Sequence, residues 1–236
     1  MKILTDLHTH TSDGTTHAYS TLLENIAYAK TIGLEAIAMT NHGPNVHDSP
    51  SPWHFNAMHI IPPYIDGIHI IKGIEANVFG RHGKLDVPPV RYGVNSIELV
   101  IAAVHDGAWE PKNNKDFLEV YKNLANNLQV HIIGHIDRTP YFSSENLDVL
   151  LPIFNENNKV LEINGFSFNV CAQDNCRTLI QKAKEYNSKV SVNSDAHFAL
   201  GIGDFDNIIN YMEEINFNFE NVINRDYKTL KEYFNF

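Results

Sequence analysis

The chain opens MKILTDLHTHTSDGTTHAYS, with His8, His10 and His17 close behind a short apolar run. If residues 2–7 form a strand, side chains two apart share a face, so His8 and His10 present paired imidazoles at its end. Paired imidazoles suit a transition-metal ion. The same kinds of side chain recur further on: His42 in TNHGP, Glu75 in GIEAN, His105 after ELVIAAV, His135 in HIIGH, and Asp195 and His197 in NSDAH. Imidazole with carboxylate and no thiolate favours zinc, manganese or iron over magnesium or calcium, which prefer oxygen shells. Nine such residues exceed the roughly four ligands one zinc takes, and with a bridging carboxylate they fit three ions.

The elements that must position these groups follow from periodicity. Seven short apolar runs read as strands: 2–7, 35–40, 68–76, 98–104, 130–134, 159–164 and 189–194. Most are separated by helical patterns, TLLENIAYAKTIG, NNKDFLEVYKNLANN, SENLDVLLPIFNE and DNCRTLIQKAKEYN. Strands alternating with helices imply βα units and a parallel sheet, and nearly continuous apolar runs imply strands covered on both faces. The fold class is α/β, a seven-stranded barrel. Six of the seven runs end in a residue able to bind metal, and in a parallel barrel those C-terminal ends share the face where active sites are built. Ser144 and Asp174 are expected as helix N-caps, and Gly33 is expected where a helix stops. Residues 43–67 are rich in Pro, Asn, Asp and His and show no clear element, so they read as a long loop and a candidate lid carrying Trp53 and Phe55. His47, His54, His59, His69, His82 and His131 fall in loops or within strands and read as ordinary structural or surface histidines.

Composition narrows the classes. The 236 residues, 43% hydrophobic and 19% charged, carry ample material for a core and no linker or repeat, so one domain over 1–236 is expected. A formal net charge of −10 disfavours nucleic acid as a partner. No basic and apolar leader opens the chain, and no apolar run reaches the roughly 18 residues of a membrane span, so a cytoplasmic protein without membrane contact is expected. Cys171 and Cys176 lack the second pair a structural zinc site needs and read as reduced thiols.

In order, DLHTHTSDGTTHAYST, TNHGP, GIEAN, HIIGH, LEING and NSDAH resemble the PHP (polymerase and histidinol phosphatase) superfamily over almost the whole chain. THAYSTL, NHGP followed by WHF, and QDNCR are similar to its YcdX-type phosphatases. The resemblance implies a distorted (β/α)7 barrel, a trinuclear centre and phosphoesterase activity. It implies one ion held by His8, His10, Glu75 and Asp195, a second by Glu75 as bridge with His105 and His135, and a third by His17, His42 and His197. Two stretches depart from the pattern: IDRTPYF, where a proline is expected directly after His135, and HDGAWEPKNNK after the fourth run.

A phosphatase of this kind needs a nucleophile at neutral pH and neutralisation of the phosphoryl oxygens. A metal lowers the pKa of bound water from 15.7 to about 7, and a second ion ~3.5–4 Å away clamps the transferring group. Hydroxide between the first two ions is expected to attack phosphorus in line, with the third ion on a phosphate oxygen. Glu75 and Asp195 are therefore expected in catalysis, and Arg138, three residues beyond His135, is the expected cationic fork on the phosphate. Lys112 and Lys115 read as surface lysines. The expected substrate is a phosphorylated small molecule. A 3′–5′ exonuclease or histidinol-phosphate phosphatase of the same superfamily, or a non-catalytic metal-binding domain, is the alternative.

Overall fold

The computed structural model describes every residue except Thr16, Asp48, 91–95 and Phe236. Seven strands form one parallel sheet, in the order β1 (Thr5–Thr9), β2 (Ala36–Met39), β4 (Ile68–Phe79), β6 (Leu99–Ala103), β7 (Ile132–Ile133), β8 (Val160–Asn164) and β9 (Val190–Asn193). Two short strands, β3 (Tyr64–Ile65) and β5 (Lys84–Leu85), pair antiparallel with β4. Helices α1 (Leu22–Thr31), α3 (Asn114–Asn126), α4 (Ser144–Glu156) and α5 (Gln173–Glu185) are the crossovers. Every residue of β1, β2, β6, β8 and β9 is buried, as expected of strands covered on both faces. Leu7, Ala36, Ala38, Ile71, Leu99, Ile101, Ile132 and Val160 form one apolar cluster. Only the interior of a barrel brings six strands together in this way.

The sheet nearly closes. On the C-terminal side, β1 and β9 meet through Asp195 N–H to His8 O at 2.9 Å and His10 N–H to Ala196 O at 2.9 Å. On the N-terminal side, residues 222–225 fill the seam. Ile223 N–H donates to Val190 O and Leu4 N–H to Arg225 O, while Ile223, and Leu230 from the helix Tyr227–Phe234, join the interior cluster. Asn224 occupies the place of a missing strand. Its amide donates to Thr5 O at 2.9 Å and Val192 O at 2.7 Å, and its oxygen accepts from Val192 N–H at 2.9 Å. Asn224→Ala leaves those buried backbone groups unpaired, each costing about 1–3 kcal/mol. The variant is expected to lose roughly 3 kcal/mol in urea unfolding, and an unchanged midpoint would mean that the seam is not held there.

Several local expectations need correction. Residues 43–67 are not without structure: α2 (Pro52–Ala57), a 3-10 turn at Met58–Ile60 and β3 lie within them. Phe55 is fully buried there, while Trp53 is exposed. The cap of α4 is Ser143, whose side chain accepts from Asn146 N–H, and Ser144 is the first helical residue. Asp174 lies in the first turn of α5, where a carboxylate favours the helix dipole, rather than at the cap, Ala172. The run 130–134 keeps only two residues as regular strand, but Gly134 N–H to Ala102 O continues the pairing. Gly33, at φ +76°, stops α1 as expected. Among the described residues no helix is long and apolar enough to cross a membrane.

Candidate metal centre

The barrel's alternation and closure bring the strand ends to one point. His8 lies on β1 and His10 just beyond it, with ring centroids 5.1 Å apart. Glu75 sits two-thirds along β4, whose length carries it into the centre, and His42 bridges to it from the end of β2. His105 and His135 follow β6 and β7, and Asp195 and His197 follow β9. Asp195 adopts φ +59°, a left-handed conformation that Asp tolerates better than most residues. This turn sends its N–H back to β1 and its carboxylate to the histidines. It needs close approach from β8, because a Cβ on Gly165 would meet Ser194 O at 3.1 Å and Asn193 O at 3.2 Å.

Glu75, 1% exposed, is the hub. Its Oε1 lies 2.8 Å from His135 Nε2 and 3.1 Å from His105 Nε2. Its Oε2 lies 3.2, 3.4 and 3.5 Å from Nε2 of His8, His42 and His10. Asp195 Oδ1 is 3.1 Å from His10 Nε2 and 3.4 Å from His8 Nε2. Four ligand atoms about 2.1 Å from a tetrahedral zinc lie roughly 3.4 Å from one another. The edges among His8, His10, Glu75 and Asp195 match that spacing. His8 Nε2, Glu75 Oε2 and His197 Nε2 are buried without a hydrogen-bond partner, so this donor set fits a cation. Two further groups lie within ligand reach: His42 with Glu75 and His105, and His10 with His42 and His197. His42 thus stands between the second and third expected sets. His17, exposed, brings its ring to 5.0 Å from that of His42 and 4.5 Å from that of His197.

Charge follows the same design at Glu75, Asp195, His42 and His10, whereas the burial of His8 is outweighed by Glu162, Asp195 and Glu75, which raise it well above its ordinary value. Burial alone would raise Glu75, yet His42, His8 and His105 hold it well below the usual carboxylate range. Asp195, equally buried, is held low by His8, His10 and Arg138. Burial, with His105 and His17, pushes His42 down to about 4 against the pull of Glu75. Burial and His197 keep His10 well below its ordinary value. Deprotonated carboxylates and neutral imidazoles are the forms that bind metal.

A supporting layer escaped the strand-end pattern. Glu162 is fully buried and receives four donors: His8 Nδ1 at 2.7 Å, Asn193 Nδ2 at 2.9 Å, His135 N–H at 2.9 Å and Asn164 Nδ2 at 3.1 Å. This contact keeps a proton on His8 Nδ1, so Nε2 is the nitrogen that would face a metal. His105 Nδ1 lies 2.7 Å from Asn77 Oδ1, and Asp86 accepts both the N–H and Nδ2 of Asn77. Gly43 makes room for Asp86, since a Cβ there would fall 2.1 Å from its Oδ1. The signal for Glu162 was present. A charged residue inside the apolar run KVLEIN is rarely buried unless paired, and this was the one strand assigned no metal-capable residue.

Arg138 leans over the same face. Its Nη2 donates to Asp195 Oδ2 at 2.7 Å, its Nε is buried without a partner, and its guanidinium stands 5.6 Å from the Phe166 ring. Lys112 and Lys115 are exposed, as expected. Of the six histidines read as ordinary, His69 stacks on Tyr227, His131 accepts from Val100 N–H, and His59 bonds Asn56 O. His82 is largely exposed, and His54 meets Asn41. His47 lines a small cavity with His17, His42 and His105. Cys171 and Cys176 are both free.

Residues 6–165 match the PHP domain family. A probable phosphatase of Clostridium acetobutylicum is 33% identical over 236 residues, covering 99% of this chain and 95% of that one. A probable phosphatase of Thermoanaerobacter is 35% identical over 243 residues with the same coverage. Among solved structures, the histidinol phosphate phosphatase of Lactococcus lactis, complexed with zinc, L-histidinol and phosphate, superposes with a TM-score of 0.63 at 17% identity. That match covers 91% of this chain and 94% of the other. The chain belongs to the PHP domain family. It is a hydrolase of the phosphatase class.

Proposed function

We propose that residues 1–236 form one domain that hydrolyses phosphomonoesters of small molecules at a centre of three divalent ions, zinc first, with manganese or iron as alternatives. The observation that carries this reading is the hub: Glu75 presents its two oxygens to different histidines, Oε1 to His105 and His135 and Oε2 to His8, His10 and His42. A carboxylate so placed suits a bridge between two ions. His8, His10, Glu75 and Asp195 would hold one ion, Glu75, His105 and His135 a second, and His17, His42 and His197 a third. Such ions supply an activated water and offset charge on phosphoryl oxygens.

The chain's own residues do the rest. Glu162 and Asn77 orient His8 and His105. Asp195, bound to Arg138, ties the centre to a guanidinium whose Nε has no partner and would be available to a phosphate oxygen. His17, exposed at the mouth, would complete the third set, its ring lying 5.0 Å from that of His42 and 4.5 Å from that of His197. A net charge of −10 supports a small ester over a polynucleotide, and the cytoplasm is the proposed compartment. Metal-loaded enzyme is expected to cleave p-nitrophenyl phosphate and to leave bis-p-nitrophenyl phosphate and a short oligonucleotide nearly untouched. Faster cleavage of the diester or oligonucleotide would move the reading to a phosphodiesterase.

Arg138 gives a sharper test. If it binds phosphate equally in ground and transition states, Arg138→Ala raises KM with kcat nearly unchanged. If it acts on charge developing in the transition state, kcat falls as well, by about 10²–10³. Arg138→Lys recovers only part of either loss, because an ammonium lacks the planar fork. Wild-type kinetics in the Ala variant would return Arg138 to a purely structural pairing with Asp195.

A further inference from the structure

A cavity of about 790 Å³ opens beside the centre, and Asp195, His197 and His17 form its inner wall. Its outer wall is apolar. Tyr19, Phe166, Val170, Phe198 and Leu200 line it, and all five are among the exposed large hydrophobic residues of the chain. Val170 is 68% and Leu200 63% exposed to solvent. A contiguous exposed apolar surface next to a reactive centre marks a binding surface, whereas singly scattered residues would need no explanation. The element behind it is also unusual. After β8 the chain makes a single π-helical turn, Ser167–Cys171, flanked by Phe166, which turns Asn169 and Val170 toward the opening.

The polar groups of the cavity offer little to a sugar or a second phosphate. Asn169 is engaged, its amide donating to Asp204 Oδ2 at 3.2 Å and its oxygen accepting from Asn207 at 2.9 Å. Ser194 Oγ accepts from Ala196 N–H. Among the described residues lining the cavity none is Lys or Arg, and Asp204 adds a negative charge at the outer edge.

Resting on the phosphomonoesterase reading, we infer that this cavity takes the organic group of the ester and selects one with an apolar, ring-sized face and no second anionic group. Phe166 has Arg138 near its ring, so it stands between the phosphate position and the apolar wall. A ring or branched chain attached to the ester oxygen then lies against Phe166, Val170 and Phe198, while the phosphoryl group faces the metal cluster. Burying a phenyl-sized group on such a wall is worth at least tenfold in selectivity.

The test has two arms on metal-loaded, full-length protein. In the first, hydrolysis of 2-phenylethyl phosphate is compared with that of glycerol 3-phosphate, two esters of unactivated alcohols. The ratio of kcat/KM is expected to favour the phenyl ester by about tenfold or more, and Val170→Asp and Phe198→Ala are each expected to cut it severalfold, chiefly through KM. In the second, calorimetry measures binding of 2-phenylethylphosphonate against methylphosphonate, neither of which has a scissile ester bond. The phenyl compound is expected to bind about tenfold tighter, and Val170→Asp to remove that difference. If binding shows the preference but no ester, p-nitrophenyl phosphate included, is hydrolysed, the phosphatase reading fails and the cavity assignment stands. Equal binding of the two phosphonates, or a preference that survives Val170→Asp, overturns the cavity assignment whatever the turnover.

Discussion

Glu75→Gln is expected to release more than one equivalent of metal and to abolish nearly all turnover. The substitution keeps the volume and removes the charge that five histidine nitrogens surround within 3.5 Å. Removing one partner of a buried ionic set costs about 3–5 kcal/mol. If that loss falls on the transition state, kcat/KM drops roughly 10²–10⁴-fold. The amide also presents an N–H₂ where an anionic oxygen would bridge, so two sites weaken together rather than one. His82→Ala, on an exposed loop beside Glu119, is the control and is expected to change neither metal content nor rate. Elemental analysis paired with turnover on p-nitrophenyl phosphate checks both variants. Equal effects at positions 75 and 82 would show the ligands to be wrongly sorted.

Glu162→Gln is expected to weaken metal binding about 10–100-fold without touching a metal-facing atom. All four neighbours of the Glu162 carboxylate point donors at it. An amide satisfies one side and turns its own N–H₂ against donors on the other. His8 then loses the partner that fixes its tautomer, and the Nε2 lone pair is no longer held toward Glu75 and Asp195. Competition against a chelator measures the loss, and unfolding in urea separates it from destabilisation of the barrel, since an unpaired buried donor costs about 1–3 kcal/mol. Unchanged metal affinity in a folded variant would leave Glu162 a structural residue of β8.

Eight of the nine candidate ligands, all but His17, were legible because parallel strands carry a positional rule: whatever lies at or just past the end of an apolar run falls on one face of the barrel. That rule needs no contact information, and it brought His8, His42, Glu75, His105, His135 and Asp195 together before any geometry was known. It gives no information about side chains that face the centre from the middle of a predicted run. Glu162 therefore read as part of an apolar run, although a lone carboxylate in KVLEIN is itself a signal of a buried partner. Asn77 and Asp86 act through backbone and amide contacts formed between segments, and their sequence is not distinctive. The same limit hid Asn224, whose role exists only because a seven-stranded barrel leaves a seam between β1 and β9. Residues 43–67 read as loop because five prolines fall among them, yet Pro52 starts α2, where its missing N–H costs nothing. His47 was equally hard to place. With nothing strand-like beside it, it read as ordinary, and the fold of its loop brings it to the mouth of the site.

The most direct measurement is the number of ions per chain. Apo-protein reconstituted with zinc or manganese, freed of excess metal and subjected to elemental analysis, is expected to hold three equivalents, falling to one or fewer in Glu75→Gln. One ion or none in the saturated wild-type protein would contradict the trinuclear centre.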